Sequence, residues 1–304
     1  MQAWRVLPVM AFRQLGAGGC AGSLLAAALL LAAPLQDAAL SAQAGTSGGP
    51  GARAQGKMVP GAPPLRGLVV CERSGAIHLA RLGEKSTTVL APAGAWPRFS
   101  PDGSLVAFLR GPEVVLLPVT GGVPRRLATA TAPRALAFAP GGGSIFFTDG
   151  AAVRSVDPLS GATRLVLEEA GALELDAAPD GTIVFTTREL GGYAIRGYDP
   201  AARRGWRIAG GCAASLSPDG RTVTCNAGDH RSLTLLERGR GGRVAVLPAP
   251  PGLRLDNQSW SNHPDWVVSV AERTGAILAQ QVSTGLAWEI VAGGCDRPDL
   301  FVLP

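Results

Sequence analysis

The chain has 304 residues, of which 46% are hydrophobic and 17% charged, and it contains 41 glycines and 24 prolines. This length suffices for one large domain or two ordinary ones, and so many glycines and prolines indicate frequent turns between short strands. The net charge of +5, from 28 basic and 23 acidic residues, does not indicate a nucleic-acid partner, because the N-terminus reads as an export signal.

Residues 1–44 have the pattern of a secretory signal peptide. Arg5 and Arg13 form a basic region, residues 23–35 (SLLAAALLLAAPL) form an apolar core, and the segment ends in Ala-Gln-Ala. The apolar run is short for a membrane span. We therefore expect a periplasmic or secreted protein with no membrane span after cleavage; an uncleaved anchor is the alternative. Residues 45–65 are expected to be a flexible linker.

From residue 66 onward the sequence repeats. Segments reading FSPDG, FAPGG, AAPDG and LSPDG place their prolines 39 residues apart, at Pro101, Pro140, Pro179 and Pro218. Ser-Pro-Asp-Gly favours a tight turn, and the apolar run that follows each copy completes a β-hairpin. A fixed period of this size indicates a repeat architecture.

A second hairpin follows in every copy, so each unit has four antiparallel strands, as in a propeller blade. Six units account for residues 66–304. Residues 66–92 supply only three strands, and the apolar segment DLFVLP (299–304) is left over at the C-terminus. The sequence therefore predicts an all-β, six-bladed β-propeller, closed by pairing the C-terminal strand with the N-terminal blade.

The pattern RFSPDG-x-x-(V/I)-(A/F)-F resembles the repeat of TolB-type periplasmic propellers and their WD-like relatives. The resemblance covers nearly all of the chain after the signal, although the chain has no room for TolB's additional N-terminal domain. It implies an exported binding or protein-interaction module whose partner is another exported protein or a polar small ligand such as a saccharide. We expect a monomer without a cofactor or catalytic activity.

Four cysteines follow the predicted signal, an even number that suits an oxidising compartment. Cys212 and Cys225 flank one Ser-Pro-Asp-Gly turn at similar distances. Cys295 shares the local sequence AGGC with Cys212, and Cys71 in LVVC matches Cys225 in TVTC. We predict the disulfides Cys212–Cys225 and Cys71–Cys295; four reduced, buried cysteines are the alternative.

The segment DNQSWSNHPDW (256–266) departs from the repeat and replaces the turn sequence of the last complete blade. Polar and aromatic side chains collect in and before it, which suits a ligand site built from hydrogen bonds and a stacking surface. The predicted ligand-binding residues are Asp229, His230, Asp256, Asn257, Trp260, Asn262 and His263. In the alternative interpretation, Asp and Asn cap turns, His263 replaces the turn serine, and the tryptophans fill blade packing.

A metal site is a further possibility, with His230, His263 and Gln258 as candidate ligands. The region is loosely similar to propeller polysaccharide lyases such as oligogalacturonate lyase, which hold a metal with His and Gln. That resemblance implies a saccharide-active enzyme assisted by a divalent metal ion. From residue 66 onward the sequence contains no G-x-S-x-G nucleophile motif, no H-E-x-x-H and no phosphate-binding glycine motif.

Overall fold

The computed structural model describes residues 56–304 except 85, 170 and 227, so the predicted signal peptide and the linker up to residue 55 lie outside it. In this part of the chain no helix is long and apolar enough to cross a lipid bilayer. The described residues form strands joined by turns and short loops.

The described part of the chain contains 25 strands. They are β1 (Lys57–Met58), β2 (Gly67–Arg73), β3 (Ala76–Arg81), β4 (Thr88–Ala91), β5 (Ala95–Phe99), β6 (Leu105–Arg110), β7 (Glu113–Pro118), β8 (Arg125–Thr129), β9 (Leu136–Phe138), β10 (Ile145–Asp149), β11 (Ala152–Val156), β12 (Thr163–Glu168), β13 (Ala172–Ala177), β14 (Ile183–Glu189), β15 (Gly192–Asp199), β16 (Arg204–Gly210), β17 (Cys212–Leu216), β18 (Thr222–Asn226), β19 (Ser232–Glu237), β20 (Arg243–Pro248), β21 (Leu255–Trp260), β22 (Trp266–Ala271), β23 (Ala276–Gln281), β24 (Leu286–Val291) and β25 (Asp296–Val302).

Six antiparallel sheets, each with four main strands, form the blades of a propeller, as predicted. Blade 1 has the order β25-β2-β3-β4, and blades 2 to 6 begin at their inner strands β5, β9, β13, β17 and β21. The predicted closure is confirmed, because β25 pairs with β2 in a register that sets Gly67 opposite Val302 and Val70 opposite Asp299. The first blade is thus built from both ends of the propeller.

The hydrophobic core is divided among the seams between blades. Six clusters of buried residues are present, and each one joins two neighbouring blades. Between blades 1 and 2, for example, Ile77 and Phe108 are both fully buried. The apolar runs that follow each turn supply this core, since strands covered on both faces need apolar side chains on both.

The Ser-Pro-Asp-Gly turns close the hairpins between inner and second strands. The hydroxyl of Ser100 donates to Asp102 at 2.5 Å and accepts from the Leu105 amide at 2.9 Å. Gly103 follows with a φ of +69°, a conformation that a side chain would strain. We call the face that carries these turns the turn face, and the opposite face, where the inner strands begin, the entry face.

Part of the predicted linker packs against the propeller. Strand β1 runs parallel to β24, with Lys57 opposite Leu286 and Met58 opposite Ala287. It adds a fifth strand to the outer edge of blade 6. Residues 57–58 therefore belong to the propeller rather than to a flexible linker.

One predicted disulfide is present and the other is not. Cys71 is bonded to Cys295, whose Cα lies 5.8 Å from that of Cys71, whereas Cys212 and Cys225 are thiols. The position in blade 5 that corresponds to Cys295 is Gly211, where a Cβ would lie 3.4 Å from the Cys225 sulfur. Cys212 is one residue further along the strand and is paired with Asn226. The prediction Cys212–Cys225 is therefore wrong by one residue in register.

Candidate functional site

The inner strands of five blades begin with a β-bulge. In four of them the strand register shifts around one residue other than glycine that has a left-handed backbone. These residues are Trp96, Ala213, Asn257 and Arg297, with φ values of 54°, 55°, 48° and 47°. A left-handed conformation costs such residues about 1–2 kcal/mol each. Bulges of this kind redirect side chains, and here they do so around the entry end of the central channel.

Two rings of side chains follow from this repeated geometry. The first, which we call the mouth ring, takes the bulge position of every blade, namely Trp96, Ala135, Glu174, Ala213, Asn257 and Arg297. The second, the channel ring, lies two residues further along each inner strand, namely Arg98, Ala137, Asp176, Ser215, Ser259 and Asp299. Side chains two residues apart on a strand share a face, but the bulge lets the two rings differ in direction.

The channel ring ties neighbouring blades together. Asp299 accepts from the Phe99 amide of blade 2 at 2.8 Å and from the Ser259 hydroxyl of blade 6 at 3.2 Å. Asp176 accepts from the Ser215 hydroxyl of blade 5 at 2.9 Å. These bonds cross three of the seams between blades, so the polar residues of the channel have a structural role.

Removal from water raises the pKa of both channel carboxyls, Asp176 and Asp299, while the positive charge of Arg98 opposes the rise. A raised pKa means that the folded chain binds these protons more tightly than the unfolded chain. The stabilising contribution of each group is therefore complete below the ordinary aspartate pKa and is lost as the pH rises through the folded-state value.

The mouth ring borders two adjoining pockets on the entry face. One of about 600 Å³ is lined by Trp96, Glu174 and Arg297, and one of about 530 Å³ by Glu174, His230 and Asn257. Both pockets contact Glu174, so they adjoin each other on the entry face. We call the two together the entry groove.

The entry groove combines both charges with an aromatic surface. The Arg297 guanidinium lies 4.5 Å from the centre of the Trp96 ring and pairs with Glu72 at 3.0 Å. Burial raises the pKa of Glu174, and one of its carboxylate oxygens has no hydrogen-bond partner among the described residues. Sequence reasoning missed Trp96, Glu174 and Arg297; the available signal was their common position in the repeat, two residues before the channel ring.

The structure divides the predicted ligand residues between the two faces. His230, Asp256 and Asn257 line the 530 Å³ pocket, and Asp229 is exposed beside them, where its carboxylate accepts from the Arg231 amide at 3.0 Å. The remaining three residues lie at the turn face. Strand β21 separates Asp256 from Trp260 by about 13 Å, at roughly 3.3 Å per residue.

At the turn face, the three remaining residues make contacts within the fold. The Trp260 indole donates to the Pro264 carbonyl at 3.2 Å. Asn262 donates to the Val302 carbonyl at 3.0 Å and accepts from the Val302 amide at 2.7 Å, which fastens blade 6 to the closing strand. His263 accepts from the Asp265 amide through Nδ1 at 3.1 Å. These contacts give the turn residues structural roles, but His263 does not replace the turn serine. Ser261 does, because its amide donates to the Trp266 carbonyl as that of Ser100 does to Leu105, and His263 takes the place of the turn aspartate.

The predicted metal ligands do not come together. His230 lies at the entry face and His263 at the turn face. Gln258 is 3% exposed, and its amide donates to the Ala213 carbonyl. The combination His230, His263 and Gln258 is therefore wrong as a ligand set, and the likeness to lyase metal sites does not extend to these residues.

His230 has other neighbours at the entry face. Its Nε2 lies 3.7 Å from the Cys212 sulfur, and its Nδ1 lies 3.9 Å from Oδ1 of Asp256 and against Oε1 of Glu272. Burial, together with the charges of nearby carboxylates, raises the pKa of the Cys212 thiol to about 12. The cluster therefore holds a protonated thiol, an imidazole and two carboxylates at the wall of the entry groove.

Comparison with known proteins shows the fold. No protein-family model matches the chain, and no curated protein matches it in sequence. TolB from Acinetobacter baumannii is similar with a TM-score of 0.64 and 18% identity, over 80% of this chain and 68% of that one. A putative TolB from Agrobacterium tumefaciens has a TM-score of 0.61 and 14% identity, over 79% of this chain and 99% of that one.

A chain in the crystal structure of a nidogen/laminin complex is also similar, with a TM-score of 0.65 and 11% identity, over 78% of this chain and 98% of that one. Identities this low establish architecture rather than activity. The fold is that of a TolB-type β-propeller.

Proposed function

We propose that this protein is an exported binding module, periplasmic or secreted, that holds an extended segment of another exported protein in the entry groove. The observation that carries the proposal is that two pockets adjoin each other on the entry face. Pockets of about 600 and 530 Å³ are each large enough for a small ligand. Because both pockets contact Glu174, a chain segment that occupies both would be longer than one compact ligand.

The chemistry of the groove suits a polypeptide. Trp96 offers an aromatic surface beside Arg297, while Glu174 and Asn257 offer polar contacts. Aromatic and arginine side chains supply much of the affinity of protein interfaces. The strained bulges hold these groups in place before a partner arrives, which lowers the entropic cost of binding.

The fold comparisons support a protein partner as a general role. Two of the similar structures are TolB proteins, and the third belongs to a complex between nidogen and laminin. The support is at the level of fold, so the partner of this chain and its monomeric state are part of the proposal.

A crosslinking experiment tests which face binds. Two exposed leucines form a matched pair: Leu190 lies in the turn between β14 and β15 at the entry face, and Leu159 in the turn between β11 and β12 at the turn face. A photoreactive amino acid is placed at either position in the full-length, exported protein. We expect a discrete adduct with an exported protein from position 190 and none from position 159.

A second pair of variants tests the groove itself. Trp96→Gly removes the indole, and glycine tolerates the φ of +54° at this position. Ala213→Gly makes the same backbone change at the equivalent bulge of blade 5 and removes only a methyl group. We expect Trp96→Gly to abolish the adduct from position 190 and Ala213→Gly to preserve it. Equal labelling from both faces, or an adduct that survives Trp96→Gly, would refute the proposal.

A further inference from the structure

Blades 5 and 6 bring a sulfur, an imidazole and carboxylates together at one wall of the entry groove. Cys212 begins β17, His230 lies between β18 and β19, and Asp256 is the second residue of β21. One ligand atom from each of these three side chains lies within 4.8 Å of the others. Because three separate segments of the chain supply the residues, the cluster does not follow from any local sequence pattern.

The distances suit a tetrahedral zinc ion. Zinc binds sulfur at about 2.3 Å and imidazole nitrogen at about 2.0–2.1 Å, so the two ligand atoms of a tetrahedral site are separated by about 3.6 Å. The Cys212 sulfur and Nε2 of His230 are 3.7 Å apart. The ligand types also agree, since thiolate, imidazole and carboxylate together favour zinc over calcium or magnesium.

The surroundings of the cluster resemble those of metal ligands. Nδ1 of His230 faces Glu272, whose other carboxylate oxygen is 3.2 Å from Arg254. A carboxylate on the far nitrogen is the usual way in which a ligating histidine is oriented. His230 is itself held in a left-handed conformation, with a φ of 57°, so its position is imposed by the fold.

A buried amide gives a second and independent indication. Asn226 is fully buried at the wall of the same pocket, and its Nδ2 donates to Asp256 at 3.1 Å. Its Oδ1 has no hydrogen-bond partner within the described part of the chain. An unpaired buried oxygen is destabilising, which indicates that the pocket is built for an additional occupant.

We infer that Cys212, His230 and Asp256 bind one Zn²⁺ ion, with Glu272 orienting His230 and a fourth coordination position facing the entry groove. On binding, the Cys212 thiol loses its proton to solvent and becomes a thiolate. Thiolate and carboxylate then balance the two positive charges of the ion. The site is independent of the proposed protein partner, and an open position is typical of zinc that contacts a ligand.

The test is the metal content and zinc affinity of the full-length protein, produced by export and purified without chelator or a metal-affinity column. We expect about one zinc per chain by elemental mass spectrometry. We expect Cys212→Ser and His230→Ala each to weaken zinc binding at least 10-fold in a competition with a chromogenic chelator. Replacement by Co²⁺ is expected to give thiolate-to-metal absorption in the near ultraviolet, which Cys212→Ser removes.

Two controls use residues outside the cluster. His263→Ala removes a histidine at the turn face, and Cys225→Ser removes the neighbouring thiol; both are expected to retain zinc. Unchanged affinity in Cys212→Ser and His230→Ala would overturn the inference. So would a Cys212–Cys225 disulfide in the exported protein, detected by mass spectrometry without reductant, or a folded protein with both thiols free that binds no added zinc.

Discussion

The Cys71–Cys295 disulfide joins the two ends of the propeller, and its removal gives a quantitative test of closure. The bond spans 224 residues. In the chain-entropy model, a loop of this length is worth about 5 kcal/mol, and losing a native disulfide typically costs about 2–5 kcal/mol. In a variant with both cysteines changed to serine, the hydrogen bonds between β2 and β25 still close the ring. We expect such a variant to fold and to lose about 3–5 kcal/mol of unfolding free energy, a large share of the roughly 5–15 kcal/mol of a typical domain.

Urea unfolding followed by tryptophan fluorescence measures this loss. Wild-type protein treated with reductant is expected to unfold at the same urea concentration as the double variant. Cys225→Ser is the control, because it removes a buried thiol that forms no disulfide. If oxidised protein, reduced protein and the double variant share one midpoint, the ring is closed by the strand pairing alone and the reasoning fails.

Three further predictions concern the channel, the turns and the closing strand. Arg98→Leu removes the cation that faces the two channel carboxyls. We expect a loss of about 1–3 kcal/mol where those groups are ionised, and this loss shrinks as the pH falls and they take up protons; a loss independent of pH would contradict this account. In unfolding assays, Gly181→Ala is expected to cost about 1 kcal/mol for its φ alone. Gly103→Ala is expected to cost about 1–3 kcal/mol more, because the new methyl would lie 2.5 Å from the Phe301 ring; equal costs would refute the clash. Asn262→Ala is expected to lower stability by about 1 kcal/mol without changing zinc content, whereas unchanged stability would show that its two bonds to the closing strand contribute little.

The architecture could be predicted from the sequence because turn chemistry and strand patterning recur at one period. Pro101 and its three counterparts mark the same turn in four blades, and the apolar runs after them fill the seams. Closure was predictable because the N-terminal blade lacks one strand and the C-terminus supplies one unpaired strand. Pairing the two completes the blade and closes the ring.

The site was harder to predict, because it depends on left-handed bulge conformations that have no sequence pattern in common. The bulge at Ala213 adds a residue to its strand, and the turn that follows contains four residues between Ser217 and Thr222. Counting equally outward from Pro218 and Asp219 sets Cys212 opposite Cys225, whereas the observed turn and bulge together pair Cys212 with Asn226 and leave its sulfur beside His230. The polar segment after residue 255 is divided between the two faces because its residues occupy both ends of strand β21.

The short strand β1 covers the start of one outer edge of the propeller. An outer strand has unpaired amide and carbonyl groups along one edge, and a second molecule can add a strand there and begin aggregation. Four of the six outer strands, β8, β12, β16 and β20, carry exposed arginines, whose charge a docking strand would have to strip of water. The fifth, β4, is only four residues long. The sixth, β24, is a full-length strand without arginine, and it is the edge that β1 covers. We expect deletion of residues 57–58 to expose the start of β24, an edge that has no such charge.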